Sequence, residues 1–211
     1  MNPTLPRGIV CALLLCACLS IVLPQRADAQ DWIAGASAEL AQQNDYDIGV
    51  PIANSDDSDV AFRLFGGYQV SSMQAVIVSY VDLGAAEYSG PALGGFSDSL
   101  EADGIDASYV VGWAPGNQNR VALFGTIGVF SWDQDVSLTD STIDFQASDD
   151  GTSLSLGFGV EVNMKADGSS PWGVHFDYQL FKDVGTVENS GQELDREMAG
   201  VGVSYRFGGR R

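Results

Sequence analysis

Cations, histidine and long apolar runs are all scarce in this sequence. Ten Lys and Arg stand against 28 Asp and Glu over 211 residues, a formal net charge of −18. Such a chain is repelled by nucleic acid phosphates, and no basic cluster along it offsets the repulsion. There is a single histidine, His175, and the three cysteines (Cys11, Cys16, Cys18) all sit near the N-terminus. The longest apolar run, Ile9 to Leu23, is about 15 residues, short of the roughly 20 that a helix needs to span hydrocarbon.

That run belongs to a leader. Residues 1–29 begin with one early cation (Arg7), continue through the apolar run, and end on Ala27-Asp28-Ala29, the three-part layout of a secretory signal peptide with an A-x-A cleavage site before Gln30. Lipid attachment at Cys18 is the alternative, but it would leave Leu19 to Leu23 at the mature N-terminus. Cleavage after Ala29 removes every cysteine, and with them disulfides, thiolate metal sites and cysteine nucleophiles. It also removes Arg7, Arg26 and Asp28, leaving eight cations against 27 carboxylates, a net charge of −19.

The rest of the chain, residues 30–211, shows period two, the signature of strands. In 152–163, Leu154, Leu156, Phe158, Val160 and Val162 alternate with Ser153, Ser155, Gly157, Gly159, Glu161 and Asn163. Val60, Phe62, Leu64, Gly66, Tyr68 and Val70 oppose Ala61, Arg63, Phe65, Gly67 and Gln69. Val174, Phe176, Tyr178 and Leu180 oppose His175, Asp177 and Gln179, and Val201, Val203, Tyr205 and Phe207 oppose Gly200, Gly202, Ser204 and Arg206. Segments at about 31–41, 73–84, 105–114 and 120–133 bring the count to eight strands. The facing of 73–84 and 120–133 stays open, since Val76, Val78 and Tyr80 compete with Ile77 and Val81.

Connections alternate between short turns (71–72, 115–119, 166–171) and long loops (about 42–58, 85–104, 134–150, 184–196). That asymmetry is a property of outer-membrane barrels. Orientation follows from side-chain size. A small barrel is filled by its own inward side chains, so the face rich in Gly, Ser and Ala with a few charges fits inside, and the bulky apolar face fits lipid. Trp32, Tyr68, Trp113, Trp172, Tyr205 and Phe207, at strand ends, suit a girdle at one interface. The expected fold is all-β: an eight-stranded antiparallel transmembrane β-barrel with four long extracellular loops and three short periplasmic turns.

Four stretches, FGGYQV (65–70), SYVDLG (79–84), FDYQLFKDVG (176–185) and GVSYRFG (202–208), resemble the OmpA-like transmembrane domain family in order and spacing across essentially the whole mature chain. The resemblance implies an outer-membrane barrel, and it makes Gly202, Tyr205 and Phe207 similar to the assembly signal read by the barrel insertion machinery. Members that carry a periplasmic peptidoglycan-binding domain continue well beyond this point, whereas here the sequence stops at Arg211, so a barrel without that domain is expected. The family's lumen holds an arginine that exchanges between glutamates. Glu161 falls on one glutamate position, but His175 occupies the arginine position, Ile77 the other glutamate position and Val110 a lysine position. The resemblance therefore implies that this switch is largely missing, because neutral imidazole cannot hold a carboxylate as guanidinium does.

The expected luminal polar network is Glu39, Arg63, Glu161, His175, Asp177 and Arg206. His175 with Asp177 has the residue types of an acid/base pair, yet no nucleophile stands out beside them, so a structural role is the expectation and no catalytic residue is assigned. Each long loop is acidic: Asp45, Asp47, Asp56, Asp57 and Asp59 in the first, Glu87, Asp98, Glu101 and Asp103 in the second, Asp135, Asp140, Asp144, Asp149 and Asp150 in the third, Glu188, Glu193 and Asp195 in the fourth. Solvated loop tips are the plain reading, and divalent cations bridging to lipopolysaccharide the functional one. No EF-hand spacing occurs, and no metal site or cofactor is expected. The sequence thus reads as a monomeric, non-enzymatic barrel of the Gram-negative outer membrane, in contact with lipid and lipopolysaccharide, with a structural and surface-interaction role. A narrow pore for water or small ions is the alternative, and a barrel enzyme acting on lipid a third reading.

Overall fold

Alternation of bulky and small residues produces eight long strands in a computed structural model, which describes residues 31–44, 54–56, 58–71, 73–90, 96–113, 120–140, 144–165, 170–187 and 192–207. The leader read at 1–29 lies outside the described residues. The strands are β1 (Asp31–Asn44), β2 (Ser58–Ser71), β3 (Gln74–Gly90), β4 (Phe96–Trp113), β5 (Val121–Asp140), β6 (Asp144–Asn163), β7 (Trp172–Phe181) and β8 (Asp195–Phe207). Every strand pairs antiparallel with its neighbour in sequence, and β1 pairs with β8 from Trp32↔Phe207 to Asn44↔Asp195. That last ladder closes the barrel. Among the described residues there are also three short strands: Asn54–Asp56 along the end of β3, and Thr186–Val187 with Gln192–Glu193 as a separate hairpin.

The pleat sends bulk outward. Leu40, Phe62, Leu64, Val78, Ile127, Phe158, Phe176 and Val203 are all exposed, an arrangement that water would penalise and hydrocarbon favours. On β6 the apolar side chains run from Leu154 to Val162; about nine residues at ~3.4 Å, tilted ~40°, cover the roughly 25 Å apolar band of such barrels. At the end holding the short turns, Trp32 meets Tyr68 edge-on at 5.3 Å, Trp172 meets Tyr205 at 4.7 Å, and Tyr205 meets Phe207 at 4.6 Å. These contacts form two groups of an aromatic rim along β1, β2, β7 and β8.

The two ambiguous strands are now oriented. Val78 and Tyr80 face outward while Ala75, Ser79 and Val81 are buried inside; on β5, Val121, Leu123 and Ile127 face outward, and Phe130, Trp132 and Gln134 are buried inside. Their inner faces were illegible because they are not small and polar. Phe130, Trp132, Phe181, Val81, Leu83, Val184 and Met198 form an apolar cluster within the barrel at its loop end. Space for such bulk comes from glycine on neighbouring strands. A Cβ on Gly151 would lie 2.4 Å from the Trp132 ring, and one on Gly104 would lie 2.9 Å from Phe130.

The long loops need correction. Residues 85–90 and 96–104, expected as loop, continue β3 and β4, and 134–140 and 144–150 continue β5 and β6. Asp59, Glu87, Asp98, Glu101, Asp103, Asp135, Asp140, Asp144, Asp149, Asp150 and Asp195 accordingly lie on long strands, Asp56 and Glu193 on short ones, whereas Asp45, Asp47, Asp57 and Glu188 lie outside the described residues. A bulge between Asp82 and Ala85 hides this continuity in the sequence, because one extra residue inverts the alternation: Val81 and Leu83 are buried inside before it, Ala86 after it. Gly84 takes φ 68° there, the Gly84 N–H donates to Asp82 Oδ1 (3.0 Å), and the Ala85 N–H donates to Asp59 Oδ2 (2.9 Å).

Gly84→Val places a branched side chain in left-handed backbone with its Cβ 2.8 Å from the Asp59 carboxylate. The expected cost is about 1–2 kcal/mol of unfolding free energy in lipid vesicles. Gly66→Val, whose Cβ would clear the Ile33 carbonyl by 3.9 Å, should change the urea midpoint little.

Candidate functional site

The inward positions of β1, β2 and β7 bring three charged groups to the centre of the lumen. Glu39 on β1 is cross-strand from Gly200 on β8, which is in turn cross-strand from Asp177 on β7. With no side chain at Gly200, Glu39 leans over it, since a Cβ there would lie 2.5 Å from Glu39 Cγ, and Gly159 leaves room for Asp177, whose Cβ would lie 2.8 Å from a Cβ on that glycine. Both carboxylates meet Arg63 of β2. Its Nη2 lies 3.1 Å from Glu39 Oε1 and forms a close ion pair with Asp177 Oδ2. Its Nη1 donates to Gln179 Oε1 (2.5 Å) and its Nε to Ser37 Oγ (3.3 Å), while Ser37 donates to Glu39.

Asp106 of β4 joins from the opposite wall. It accepts from Ser155 Oγ (2.5 Å), from Ser108 Oγ and, at 3.5 Å, from Gln179 Nε2. Gln179 thereby links the Arg63 centre to Asp106. Glu39 and Asp177 share one guanidinium, Asp106 is joined to it through Gln179, and serine hydroxyls bond to Glu39 and Asp106, which offsets part of the cost of burying their charge. Asp106 was not singled out from the sequence, although Asp106 and Ser108 alternate with Ile105 and Ala107 as the other inward faces do. Arg196 was missed too, because 184–196 read as loop. It lies on β8, is 2% exposed, and donates from Nη2 to the Leu100 carbonyl (3.3 Å).

A second ion pair lies nearer the turn end. Arg206 Nη2 contacts Glu161 Oε1, and Ser204 donates to Glu161 Oε2 (3.4 Å). Between the two groups stands His175, buried, edge-on to Phe65 at 5.5 Å, with its Nε2 3.6 Å from Asp177 Oδ1. That separation exceeds a hydrogen bond. Gly202, singled out for an assembly signal, faces the lumen: a Cβ there would lie 2.3 Å from His175 Nε2. Tyr205 and Phe207 belong to the outer aromatic rim.

These layers divide the lumen. From the turn end, a cavity of about 160 Å³, walled partly by Phe65, Ile77 and Phe124, reaches in to Arg63, Asp106 and His175. Beyond the ionic layer the apolar cluster fills the barrel, with Phe130 and Phe181 0% exposed and their ring centroids 4.5 Å apart. The chain after Phe181 adds to this plug. Asp183 takes φ 57°, its carbonyl accepts from Ser153 Oγ (2.7 Å), and Val184 and Leu194, joined by a backbone hydrogen bond of 2.7 Å, are both fully buried.

Arg63→Met leaves Glu39 and Asp177 without their cation, and the expected loss is about 3 kcal/mol, read from urea unfolding in vesicles. Arg206→Met, at a pair whose side chains are 27% and 17% exposed, should cost under about 1 kcal/mol. Equal, small effects would show that the central carboxylates do not depend on the guanidinium.

Comparison with known proteins agrees with this architecture. Residues 27–211 match the OmpA-like transmembrane domain. Outer membrane protein A of Escherichia coli O157:H7 is 25% identical over 177 residues, covering 84% of this chain and 48% of the relative; that of Serratia marcescens is 24% identical over 186 residues, covering 84% and 49%. The chain spans about half the length of these relatives. Among solved structures, Ail, the attachment invasion locus protein of Yersinia pestis, superposes with a TM-score of 0.53 at 15% identity, covering 84% of this chain and 99% of that one. Neisserial surface protein A superposes with a TM-score of 0.53 at 16% identity, covering 83% and 97%. At such identities the superpositions speak for the fold alone. With the family match spanning nearly the entire sequence, the chain belongs to the OmpA-like transmembrane domain family of Gram-negative outer-membrane β-barrels.

Proposed function

We propose that this barrel is a structural and surface-interaction protein with a closed lumen. The apolar plug carries the reading. Ions crossing the lumen would have to pass Phe130, Phe181, Leu83, Val81 and Val184, all buried at 1% or less and at the loop end of the charged layer. Opening that route means creating a cavity in packed apolar interior, not exchanging one ion pair for another. The family's gating arginine position is held by His175, which makes no hydrogen bond to Asp177, and this also favours a structural network over a switch.

In this reading Glu39, Arg63, Glu161, His175, Asp177 and Arg206, joined by Asp106, brace the strands across the lumen and do not catalyse. Residues 1–29 direct export, Gly202, Tyr205 and Phe207 serve recognition by the insertion machinery, and the apolar band around the barrel suits a monomer in lipid. The acidic loop end faces lipopolysaccharide headgroups and the cell's surroundings, where it meets its partners.

Single-channel recording in planar bilayers separates the closed barrel from the pore. The wild type and Arg63→Ala should both give no resolved conductance, because the plug lies beyond the ionic layer. Phe130→Ala/Phe181→Ala should conduct. Steady openings in the wild type, or in Arg63→Ala alone, would place the barrier in the ion pairs and overturn the reading. Migration of the folded barrel on a gel should be heat-modifiable throughout, which establishes that each variant has closed.

A further inference from the structure

The same departure of the chain that plugs the lumen leaves one strand edge without a neighbouring strand among the described residues. The β6–β7 ladder ends at Ser155↔Phe181, followed by one hydrogen bond from the Lys182 N–H to the Leu154 carbonyl (2.9 Å). There the chain turns inward to bury Val184. On its other side β6 stays paired with β5 as far as Thr139↔Asp144, so it runs about ten residues beyond its last partner on β7. In an antiparallel ladder, alternate residues direct N–H and C=O to the same side. Because Leu154 bonds toward β7, Thr152, Asp150, Ser148 and Gln146 also present their main-chain groups there. Among the described residues no strand meets them: the hairpin of Thr186–Val187 and Gln192–Glu193 pairs only within itself. The opposite edge of this protruding sheet is covered, since Asn54–Asp56 pairs with Glu87–Ser89 of β3.

The chemistry next to the open edge is one-sided. Asp82, Asp103, Asp133 and Asp150 are consecutive cross-strand partners on β3, β4, β5 and β6, one row of carboxylates on the outer face just past the apolar band. Glu101 and Asp135 form a second opposed pair beyond it. Like charges directly opposite each other destabilise a sheet, and these four strands contain no Lys or Arg that could relieve the repulsion. The row stops at Asp150, on the open edge.

We propose that the edge of β6 from Asp144 to Thr152 takes up a basic, extended segment of another polypeptide as an added strand. Main-chain hydrogen bonds to Gln146, Ser148 and Thr152 hold the segment, and its Lys or Arg side chains continue the carboxylate row past Asp150. A second copy of this chain does not fit, because 144–152 carries Asp144, Asp149 and Asp150 and no cation, so self-pairing sets carboxylate against carboxylate. The inference rests on the surface-interaction reading of the loop end, and its failure would leave the closed lumen, tested by conductance, untouched.

A fluorescent peptide of about nine residues alternating Lys with Thr or Val is titrated against the full barrel in phosphatidylcholine nanodiscs. Saturable binding is expected, weakening with salt. Methylating the peptide nitrogens along its pairing edge keeps every charge but should weaken binding about tenfold or more. Ser148→Pro should do the same, since it removes an N–H directed at the open edge and none from the β5 ladder. The corresponding Glu peptide should not bind. Equal binding of the methylated peptide would mean adhesion by charge alone, and either that or absence of saturable binding overturns the proposal. Should Ser148→Pro fail to show heat-modifiable migration, the methylated peptide decides on the wild-type barrel.

Discussion

Lipid offers no hydrogen bonds to a peptide group, so a chain that crosses it with strands must pair every one of them. The β1–β8 ladder meets that demand by joining the first and last strands over thirteen consecutive partners, from Trp32↔Phe207 to Asn44↔Asp195. Closure then fixes which side chains can point inward. An eight-stranded ring leaves room for only one layer of side chains at each level, and the glycines on the inner faces share that room out. Gly200 makes space for Glu39 and Gly159 for Asp177, Gly202 makes space for His175, and Gly151 and Gly104 make space for Trp132 and Phe130.

The outer face was legible in the sequence because lipid sees it uniformly. Strands such as 152–163, with Leu154, Leu156 and Phe158 set against serine and glycine, could be oriented by alternation alone. The inner face was legible only where it is small or charged. On β5, Phe130 and Trp132 inside compete with Ile127 and Val129 outside, and nothing in a period-two pattern separates two apolar faces. The long acidic stretches misled for a different reason. Asp and Glu are poor strand formers by propensity, and the bulge at Gly84 breaks the alternation at the point where β3 leaves the membrane. Pairing across to β4 keeps these residues in a ladder despite their composition. Arg63, Glu39, Asp177, Glu161 and Arg206 could be placed inside from their strands, but the division into two ionic groups, and the part played by Asp106 and Gln179, depend on registers between strands far apart in sequence.

Closure of the lumen and the end of the β6–β7 ladder at Ser155 have a common origin. A strand continuing past Phe181 along β6 would have completed the sheet and left the barrel mouth empty. Instead the chain turns at Asp183 and packs Val184 and Leu194 over the lumen, while β3 to β6 continue past the membrane with four aligned aspartates on their outer surface. Burying apolar surface in the mouth stabilises the inward path, and the carboxylate row keeps the protruding sheet from pairing with its own kind. The loop end is in this way both a stopper and a surface.

The orientation of the side chains about the barrel wall is the claim on which all of this depends. It is tested most directly by single cysteines placed in turn from Ser153 to Gly159, spin-labelled in lipid vesicles, with collision rates measured for oxygen and for a water-soluble nickel chelate. Because the three native cysteines lie at or before Cys18, a chain that begins at Gln30 carries no competing thiol. Oxygen accessibility should peak at 154, 156 and 158 and fall at 153, 155, 157 and 159. Peaks at the odd positions, or a period near 3.6, would contradict the account.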